Sequence, residues 1–260
     1  MDNDSPAKAI LVVTITALVC SVLVSGAAVF LQPLQQAYAD IERIRYIVQI
    51  SGLVDSEAEL SEFDIVSAYR DISLRLIDLE SGSFDTDLDP QSFIDVSIEN
   101  ELQESVNIPA AQDTAALQSR PRWVAVYLVE SDAELQRIIF PIYGRGMWST
   151  IYGYLAIEGD LSTIAGVVFY EHGETPGIGD QIQRASWLAG WRGKRLYDEQ
   201  RQLQFNIGTD SATSPAADYR VDGIAGATLT VNGVANMVRY WFGPHGYAPF
   251  MNQYLAELNL

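Results

Sequence analysis

WVAVYLVESDAELQRIIFPIYGRGMWSTIYGYLAIEGDLSTIAGVVFY, residues 123–170, contains four short runs rich in Val, Ile and Tyr, at 123–129, 138–143, 151–157 and 164–170. Gly, Asp or Ser residues lie between the runs, and runs bounded in this way are typical of β-strands. Strands joined by tight turns pair with their neighbours in opposite directions. The four runs therefore predict an antiparallel sheet.

Helices are predicted to follow this sheet. Residues 180–222 are mostly polar, with a predicted helix at 185–191 and one more strand at 203–207. Residues 229–242 place apolar side chains three and four residues apart, as on one face of a helix, before Gly243 and Pro244 end the pattern. These side chains are Val231, Val234, Ala235, Val238, Trp241 and Phe242. An antiparallel sheet flanked by helices predicts an α+β domain.

The segment before the sheet is predicted to be helical at first and irregular later. Apolar residues at 34–53 recur at spacings of three and four, which predicts an amphipathic helix ended by Gly52. A second helix is predicted at 58–79. Residues 80–122 are rich in Ser, Asp, Gln and Pro, and we expect irregular structure with short strands there.

A membrane anchor is predicted at the N-terminus. Residues 9–31 carry no charge, and a helix of that length, rising about 1.5 Å per residue, crosses a hydrocarbon core of about 30 Å. A cleaved secretory signal is the alternative, since residues 25–28 are small. We favour the anchor because the apolar run exceeds the roughly 7 to 15 residues of a signal core. Lipid modification of Cys20 is disfavoured by the bulky Val19 before it.

Composition excludes several classes of function. The 34 Asp and Glu against 16 Lys and Arg give a net charge of -18, which repels a nucleic-acid backbone. The sequence has two His and one Cys, and it lacks CxxC, HExxH, a Walker loop and GxGxxG. Metal hydrolases, P-loop enzymes and Rossmann oxidoreductases therefore lack their minimal parts. We expect no catalytic residue, no metal site and no nucleic-acid partner.

The segment 222–230, DGIAGATLT, leads directly into the predicted C-terminal helix. Gly223 and Gly226 permit tight or left-handed backbone, and Thr228 presents a hydroxyl at the first turn of the helix. Free N–H groups and the positive end of the helix dipole favour an anion there, so the segment is suited to a phosphate. The alternative is an ordinary helix start with Thr228 as N-cap and Asp222 in a turn.

A second segment, 172–179, reads HGETPGIG and follows a predicted strand. Pro176 keeps Thr175 extended, so this loop can lay backbone amides and Ile178 against a flat ring while Glu174 or Thr175 hydrogen-bonds the ring edge. A plain glycine-rich turn is the alternative interpretation.

A third segment, 144–154, reads GRGMWSTIYGY. Trp148 and the glycines beside it are suited to another wall of a planar site. Core packing is the alternative explanation for the aromatic residues.

These three ordered motifs, together with the anchor, resemble the NqrC family over residues 1–260, a family of subunits of the bacterial sodium-translocating NADH:quinone reductase. The resemblance implies a flavoprotein that relays single electrons through FMN. In that family a flavin transferase joins the FMN phosphate to the last threonine of Asp-Gly-x-(Ser/Thr)-Gly-Ala-Thr, which is Thr228 here and not Thr230. Ala225 stands where Ser or Thr is usual, so one hydroxyl is missing from the pattern.

The resemblance also implies a domain organisation and a location. Residues 1–33 are expected to be the cytoplasmic N-terminus and transmembrane helix, 34–121 a helical connector with the N-terminal part of the soluble domain, and 122–260 the FMN-binding domain. The soluble domain is expected on the periplasmic side of the inner membrane. Because the predicted span carries no charge and the chain has no complete active site, the other subunits of the complex are required.

The cofactor-binding residues that the resemblance implies come from all three motifs. Lys194 is a further cation considered for the ring, with a solvated surface lysine as the alternative. Two alternative functions stay open, namely the RnfG flavoprotein of the related Rnf electron-transport complex and an anchored periplasmic module that binds FMN noncovalently or acts as a scaffold. The expected FMN contacts are Thr228 as the covalent site, with Met147, Trp148, Ser149, Glu174, Thr175, Gly177, Ile178, Asp222, Gly226 and Ala227.

Overall fold

The computed structural model describes residues 6–55, 60–94, 104–132, 134–208 and 215–258. Two units make up the chain, Met1–Ile44 and Arg45–Leu260. The helices in the described ranges are α1 (Pro6–Ser51), α2 (Glu62–Tyr69), α3 (Ala185–Ala189), α4 (Thr228–Trp241) and α5 (Ala248–Leu258). The strands there are β1 (Ile72–Asp78), β2 (Ser83–Asp85), β3 (Ser105–Asn107), β4 (Ser119–Pro121), β5 (Trp123–Ser131), β6 (Glu134–Arg145), β7 (Thr150–Glu158), β8 (Ile164–Glu171), β9 (Asn206–Gly208) and β10 (Arg220–Asp222).

The N-terminal unit is built on α1. Its segment Pro6–Gln32 is long and apolar enough to cross a membrane, judged by length and composition. Apolar side chains along it, such as Ile10 and Leu23, are exposed rather than packed against protein. The prediction of an N-terminal apolar helix is confirmed.

The second unit contains the predicted antiparallel sheet. In the described residues it has six strands in the order β2-β1-β5-β6-β7-β8. The four predicted runs lie in β5, β6, β7 and β8. Strands β6 and β7 pair from Arg137↔Glu158 to Arg145↔Thr150, which leaves residues 146–149 as the turn at the end of the sheet. With helices packed on this sheet, the predicted α+β fold is confirmed.

The prediction of one helix over 58–79 is wrong in its second half. Residues 56–59 lie outside the described residues, α2 ends at Tyr69, and β1 begins at Ile72. Strand β1 pairs with β5 along its whole length and with β2 over its last three residues. These ladders satisfy the backbone groups that a helix would satisfy internally, so pairing overrides the local apolar pattern.

The strand predicted at 203–207 is displaced toward the C-terminus. Leu203 forms an isolated bridge with Tyr197, whereas β9 begins at Asn206 and pairs in parallel with β10. The hydrogen bond from Gly223 N to Gly208 O, 2.9 Å, continues this pairing. The pair β9–β10 therefore places the DGIAGATLT segment directly after an ordered strand.

Helix α4 packs on the face of the sheet that forms the main core. Its buried residues Val234, Val238 and Trp241 belong to the same apolar cluster as Phe140 of β6. At Gly233 the approach is very close, because a Cβ built there would lie 2.5 Å from Arg145 O. The helix predicted at 229–242 is confirmed, with its start one residue earlier.

The end of α1 packs on the opposite face. Ile47 is fully buried, and the ring of Tyr46 stacks on Tyr170 at a centroid distance of 6.0 Å. Arg137 Nη1 donates to the Ile50 carbonyl at 3.3 Å, a favourable place for a cation because it is the C-terminal end of a helix. Gly52 follows with φ +80° and ends α1, as predicted.

Candidate functional site

The three glycine-containing motifs meet around the carboxylate of Glu174. The backbone N–H of Trp148 donates to Oε1 at 3.0 Å, that of Ser149 donates to Oε1 at 3.4 Å, and that of Met147 donates to Oε2 at 3.3 Å. The hydroxyl of Thr230 donates to Oε2 at 2.5 Å. The turn after β6, the loop after β8 and the first turn of α4 are therefore held together by one side chain.

The Glu174 carboxylate is buried, with 4% of the residue exposed. Burial raises its pKa, but the hydrogen bonds from Thr230 and from the three amides outweigh burial and hold the pKa of Glu174 below its usual range. Each carboxylate oxygen already accepts two hydrogen bonds, which uses its lone-pair sites. The predicted hydrogen bond from Glu174 to a ring edge therefore has no free acceptor in this arrangement.

The N-terminus of α4 is open. The N-cap residue is Ala227, which makes no side-chain capping hydrogen bond. Gly226 before it has φ +82°, and no atom lies within 4 Å of the position that a Cβ would occupy there. Thr228 is the first residue of α4 and is exposed. The alternative in which Thr228 caps the helix is wrong, because the N-cap is Ala227. Thr228 instead belongs to the first turn, where free N–H groups and the dipole favour an anion.

Large apolar side chains are exposed close to this helix end. They are Met147, Trp148, Ile178 and Leu229, with 44%, 60%, 47% and 61% of each residue exposed. Trp148 has a fixed position because its indole Nε1 donates to Thr175 Oγ1 at 2.9 Å. Exposed apolar groups of this size, set among polar atoms, are typical of a surface that binds a ligand.

Three backbone amides of the loop 172–179 donate within the loop itself, and the first of them is Glu174 N, which donates to His172 Nδ1 at 3.2 Å. The carbonyl of Thr175 accepts from Ile178 N at 3.2 Å, Gly179 N at 2.9 Å and Asp180 N at 3.3 Å, and Gly177 between them has φ +77°. These hydrogen bonds form a tight turn. The amides of Ile178 and Gly179 are therefore already used within the turn, and the turn exposes residues 176–178, with Ile178 as its large apolar side chain.

The remaining predicted residues lie at the edge of the site. Asp222 ends β10 with an exposed side chain, and its carbonyl accepts from Trp187 Nε1 at 2.7 Å. Ser149 Oγ accepts from Gly173 N, which joins the turn after β6 to the loop after β8. Lys194 Nζ donates to the Ala217 carbonyl at 2.9 Å, so Lys194 has a structural partner instead of serving as a free cation for the ring.

Sequence reasoning misses four residues that build this site. Thr230 belongs to a predicted motif without an assigned role, although its hydroxyl makes the shortest hydrogen bond to Glu174. Cβ atoms built at Gly146 and Gly179 would lie 2.5 Å from Glu174 Oε1 and 2.9 Å from Glu174 Cβ, and one at Gly233 would meet Arg145 O. Each glycine is visible in the sequence, but only the fold shows what it approaches.

Comparisons with known proteins agree with this geometry. A family model described as an FMN-binding domain matches residues 146–243, which include most of the motif at 144–154 and all of the motifs at 172–179 and 222–230. The crystal structure of NqrC from Shewanella oneidensis is 35% identical, covers 83% of this chain and 97% of its own, and superposes with a TM-score of 0.71. A structure of the corresponding reductase subunit from Parabacteroides distasonis, 22% identical with a TM-score of 0.62, shows the same fold.

Relatives of known sequence extend the match to almost the whole chain. The NqrC subunit of the Na(+)-translocating NADH-quinone reductase from Pseudomonas aeruginosa is 40% identical over 252 residues, which is 96% of each chain. The corresponding subunit from Yersinia pestis is 41% identical over 254 residues, covering 97% of this chain and 94% of its own. The alternative as the RnfG flavoprotein is therefore rejected. This chain belongs to the NqrC family of subunits of the Na(+)-translocating NADH-quinone reductase, an oxidoreductase complex, and carries the family's FMN-binding domain.

Proposed function

We propose that this chain carries FMN esterified through its phosphate to Oγ of Thr228, and that it relays single electrons within the reductase. The observation that carries this proposal is the contrast between two threonines at the start of α4. Thr228 is the first residue of α4 and is exposed, whereas Thr230 is 2% exposed and its hydroxyl donates a hydrogen bond to Glu174. Of these two hydroxyls, Thr228 alone is accessible to a flavin transferase.

The backbone around Thr228 fits a phosphate group. Gly226 in the left-handed region leaves open space beside the helix start, and Ala227 brings no side-chain oxygen to compete for the first-turn N–H groups. Ala225 supplies no hydroxyl where the family usually has one, so the phosphate contacts rest on the helix end and backbone. Asp222, Gly226 and Ala227 are the residues that we assign to this part of the site.

The ring of the flavin is assigned to the exposed apolar surface beside α4. Met147, Trp148 and Ile178 would pack against it, with the hydrogen bond from Trp148 to Thr175 fixing the indole. FMN supplies the redox chemistry when bound, and the chain binds it, orients it and excludes water. Ser149, Thr175 and Gly177 complete the assigned surroundings, and Glu174 acts through the turn that it holds.

The proposed location follows from the anchor and the family. We assign the FMN-binding domain to residues 122–260, on the periplasmic side of the inner membrane, with α1 as the single span. That span carries no charged side chain between residues 9 and 31, so ion transport requires the other subunits. A flavin transferase is required for maturation.

The attachment is tested by mass spectrometry of the tryptic peptide 221–239 from chain coexpressed with its transferase. We expect the wild-type peptide to gain the mass of FMN less water, because an ester forms between Oγ and the phosphate. Thr228→Val should give the bare peptide. Thr230→Val is the matched control, because it removes a different hydroxyl of the same motif. It keeps the hydroxyl of Thr228, so the peptide should stay modified. Modified Thr228→Val, or a bare wild-type peptide, would refute the proposed ester.

Noncovalent FMN binding is the second candidate, favoured by Ala225 at the position where the family has Ser or Thr. The same apolar surface would then hold a flavin that dissociates on denaturation. Flavin fluorescence of the protein band in a denaturing gel separates the two cases, because only an ester keeps the flavin on the unfolded chain.

A further inference from the structure

Glu174 stands out as a buried carboxylate without a cationic partner. It is 4% exposed, and no ion pair joins it to a Lys or Arg within the described ranges. Its charge is stabilised instead by three backbone N–H groups and one hydroxyl. The amides and the hydroxyl are neutral groups, so they stabilise the carboxylate but leave its net negative charge inside the site.

The partners of Glu174 come from two different walls of the site. The amides of residues 147–149 belong to the turn that carries Met147 and Trp148, and Thr230 belongs to the helix that begins with Thr228. A change at Glu174 therefore acts on both walls. The carboxylate is the single side chain that bonds to both of them among the described residues.

Close packing fixes the carboxylate in this position. A Cβ at Gly146 would lie 2.5 Å from Oε1, and a Cβ at Gly179 would lie 2.9 Å from Glu174 Cβ and from Thr230 Oγ1. The glycines leave just enough room for the glutamate side chain. A rotated carboxylate would collide with these backbone atoms, and a shorter side chain would not reach all four donors.

We propose that Glu174 is a positioning residue that locks the turn 146–149 to the first turn of α4, and that its negative charge makes the bound flavin harder to reduce. The proposal rests on the proposed function, because it assumes that the flavin lies between these two walls. Reduction adds negative charge to a flavin ring, and a fixed carboxylate nearby opposes that charge in a site of low polarity. The same carboxylate also accepts from the amides of residues 147–149, so these amides are not free to donate to a ring.

The charge is tested by redox titration of the flavin in the full-length, detergent-solubilised chain. Glu174→Gln keeps the size of the side chain and one acceptor oxygen but removes the charge and the second acceptor. We expect the reduction potential to become more positive, on the order of tenfold in the one-electron equilibrium constant or about 59 mV. Glu174→Asp, which keeps the charge, should shift the potential less. An unchanged potential in a Glu174→Gln chain that still carries FMN would overturn the role of the charge.

The locking role is tested on chain without flavin, so that it does not depend on the cofactor. Urea unfolding of wild type, Glu174→Gln, Thr230→Val and the double variant forms a double-mutant cycle. We expect the double variant to lose clearly less stability than the sum of the single losses. Each single change already removes the same hydrogen bond, the one from the Thr230 hydroxyl to the Glu174 carboxylate. Thr230→Ser keeps the hydroxyl and should restore wild-type stability. Strict additivity would overturn the lock.

These outcomes are separable from failure of the proposed function. A wild-type chain without FMN after coexpression with the transferase contradicts the ester at Thr228, whatever the unfolding cycle shows. A wild-type chain with FMN, combined with an unchanged potential in Glu174→Gln, contradicts the inference alone. The cycle on flavin-free chain tests the lock in either case.

Discussion

Two threonines in one helical turn show how environment separates the roles of identical side chains. Thr228 and Thr230 both lie in the first turn of α4, but the helix turns one toward solvent and the other into the core. The buried hydroxyl has an ionised partner in Glu174, so it is committed to a strong hydrogen bond. The exposed hydroxyl remains available for chemistry, and the loss of either side chain should therefore have different consequences.

The lowered pKa of Glu174 predicts acid sensitivity. A group whose pKa is depressed in the folded state stabilises the fold above its unfolded pKa, about 4.3 for Glu, and loses this stabilisation as the pH falls through the folded value. Glu174→Gln removes the titrating group. We expect the variant to be less stable than wild type by about 1 to 3 kcal/mol at pH 7, with the gap narrowing below about pH 4.

Urea unfolding at a series of pH values measures this gap. The lowered pKa values of Asp78 and Asp198 also make the fold acid-sensitive, but they affect both proteins equally and cancel in the difference. A gap that stays constant down to about pH 3 would contradict an ionised Glu174 in the folded state.

At the residue level, the sequence predicts which segments form the site but not how their atoms pair. Gly226 has the left-handed backbone and Thr228 the place at the helix start that the motif predicts, because glycines and a helix start leave local signals. The pairing of Glu174 with Thr230 joins residues 56 positions apart, and no local pattern encodes such a contact. The sequence motif predicts Glu174 as a contact of the cofactor, and in the fold its carboxylate accepts four hydrogen bonds from the protein.

Among the elements, α4 has the strongest effect on site geometry, because it presents Thr228 and packs directly on the end of β6. Gly233 allows this approach, since a Cβ there would lie 2.5 Å from Arg145 O and 3.1 Å from Gly146 Cα. Both obstacles are backbone atoms, which cannot rotate away. The backbone of Gly233 therefore lies closer to Arg145 and Gly146 than any residue with a Cβ would allow.

Gly233→Ala is expected to destabilise the fold despite the higher helix propensity of alanine. The propensity gain of about 1 kcal/mol is smaller than the cost of forcing α4 away from β6, so we expect a net loss of about 1 to 3 kcal/mol. The midpoint of urea unfolding measures the loss. Asn232→Ala, at the adjacent exposed position, is the matched control and should be neutral or slightly stabilising. A Gly233→Ala chain as stable as this control would contradict the close approach.

The elements that the sequence predicts well are those with a long, regular pattern. Strands β5 to β8 are nearly continuous apolar runs that are buried on both faces, and helix α4 carries several periods of apolar residues on its buried face. Strand β1 is predicted as helix because its apolar residues fit the spacing of a helix as well as that of a strand. Its pairing with β2 and β5, which decides between the two, is not visible in the local sequence. Helix α5 is absent from the prediction, because Gly243 and Pro244 end the apolar pattern before it begins.

At the scale of the whole molecule, the acidic charge and the apolar helix act together. Residues 32–260 hold 32 of the 34 acidic and 15 of the 16 basic residues, and their net charge of -17 opposes flat binding of the soluble part to an anionic leaflet, because like charges repel at the membrane surface. The uncharged segment of α1 supplies the membrane affinity instead. Charge alone leaves the orientation open, with Lys8 on one side of the apolar run and Arg43 and Arg45 on the other.

The proposed periplasmic orientation is testable because the chain has one cysteine, Cys20, which lies within the apolar segment Pro6–Gln32. Gln200 is exposed in the second unit, so Gln200→Cys adds an accessible thiol. In intact cells, a maleimide that does not cross the inner membrane should label Gln200→Cys strongly and leave the parent chain unlabelled. Asn3→Cys, on the N-terminal side of the span, should be labelled only after that membrane is opened. Labelling of Asn3→Cys but not Gln200→Cys in intact cells would reverse the orientation, and a mature chain lacking residues 1–28 would replace the anchor with a cleaved signal.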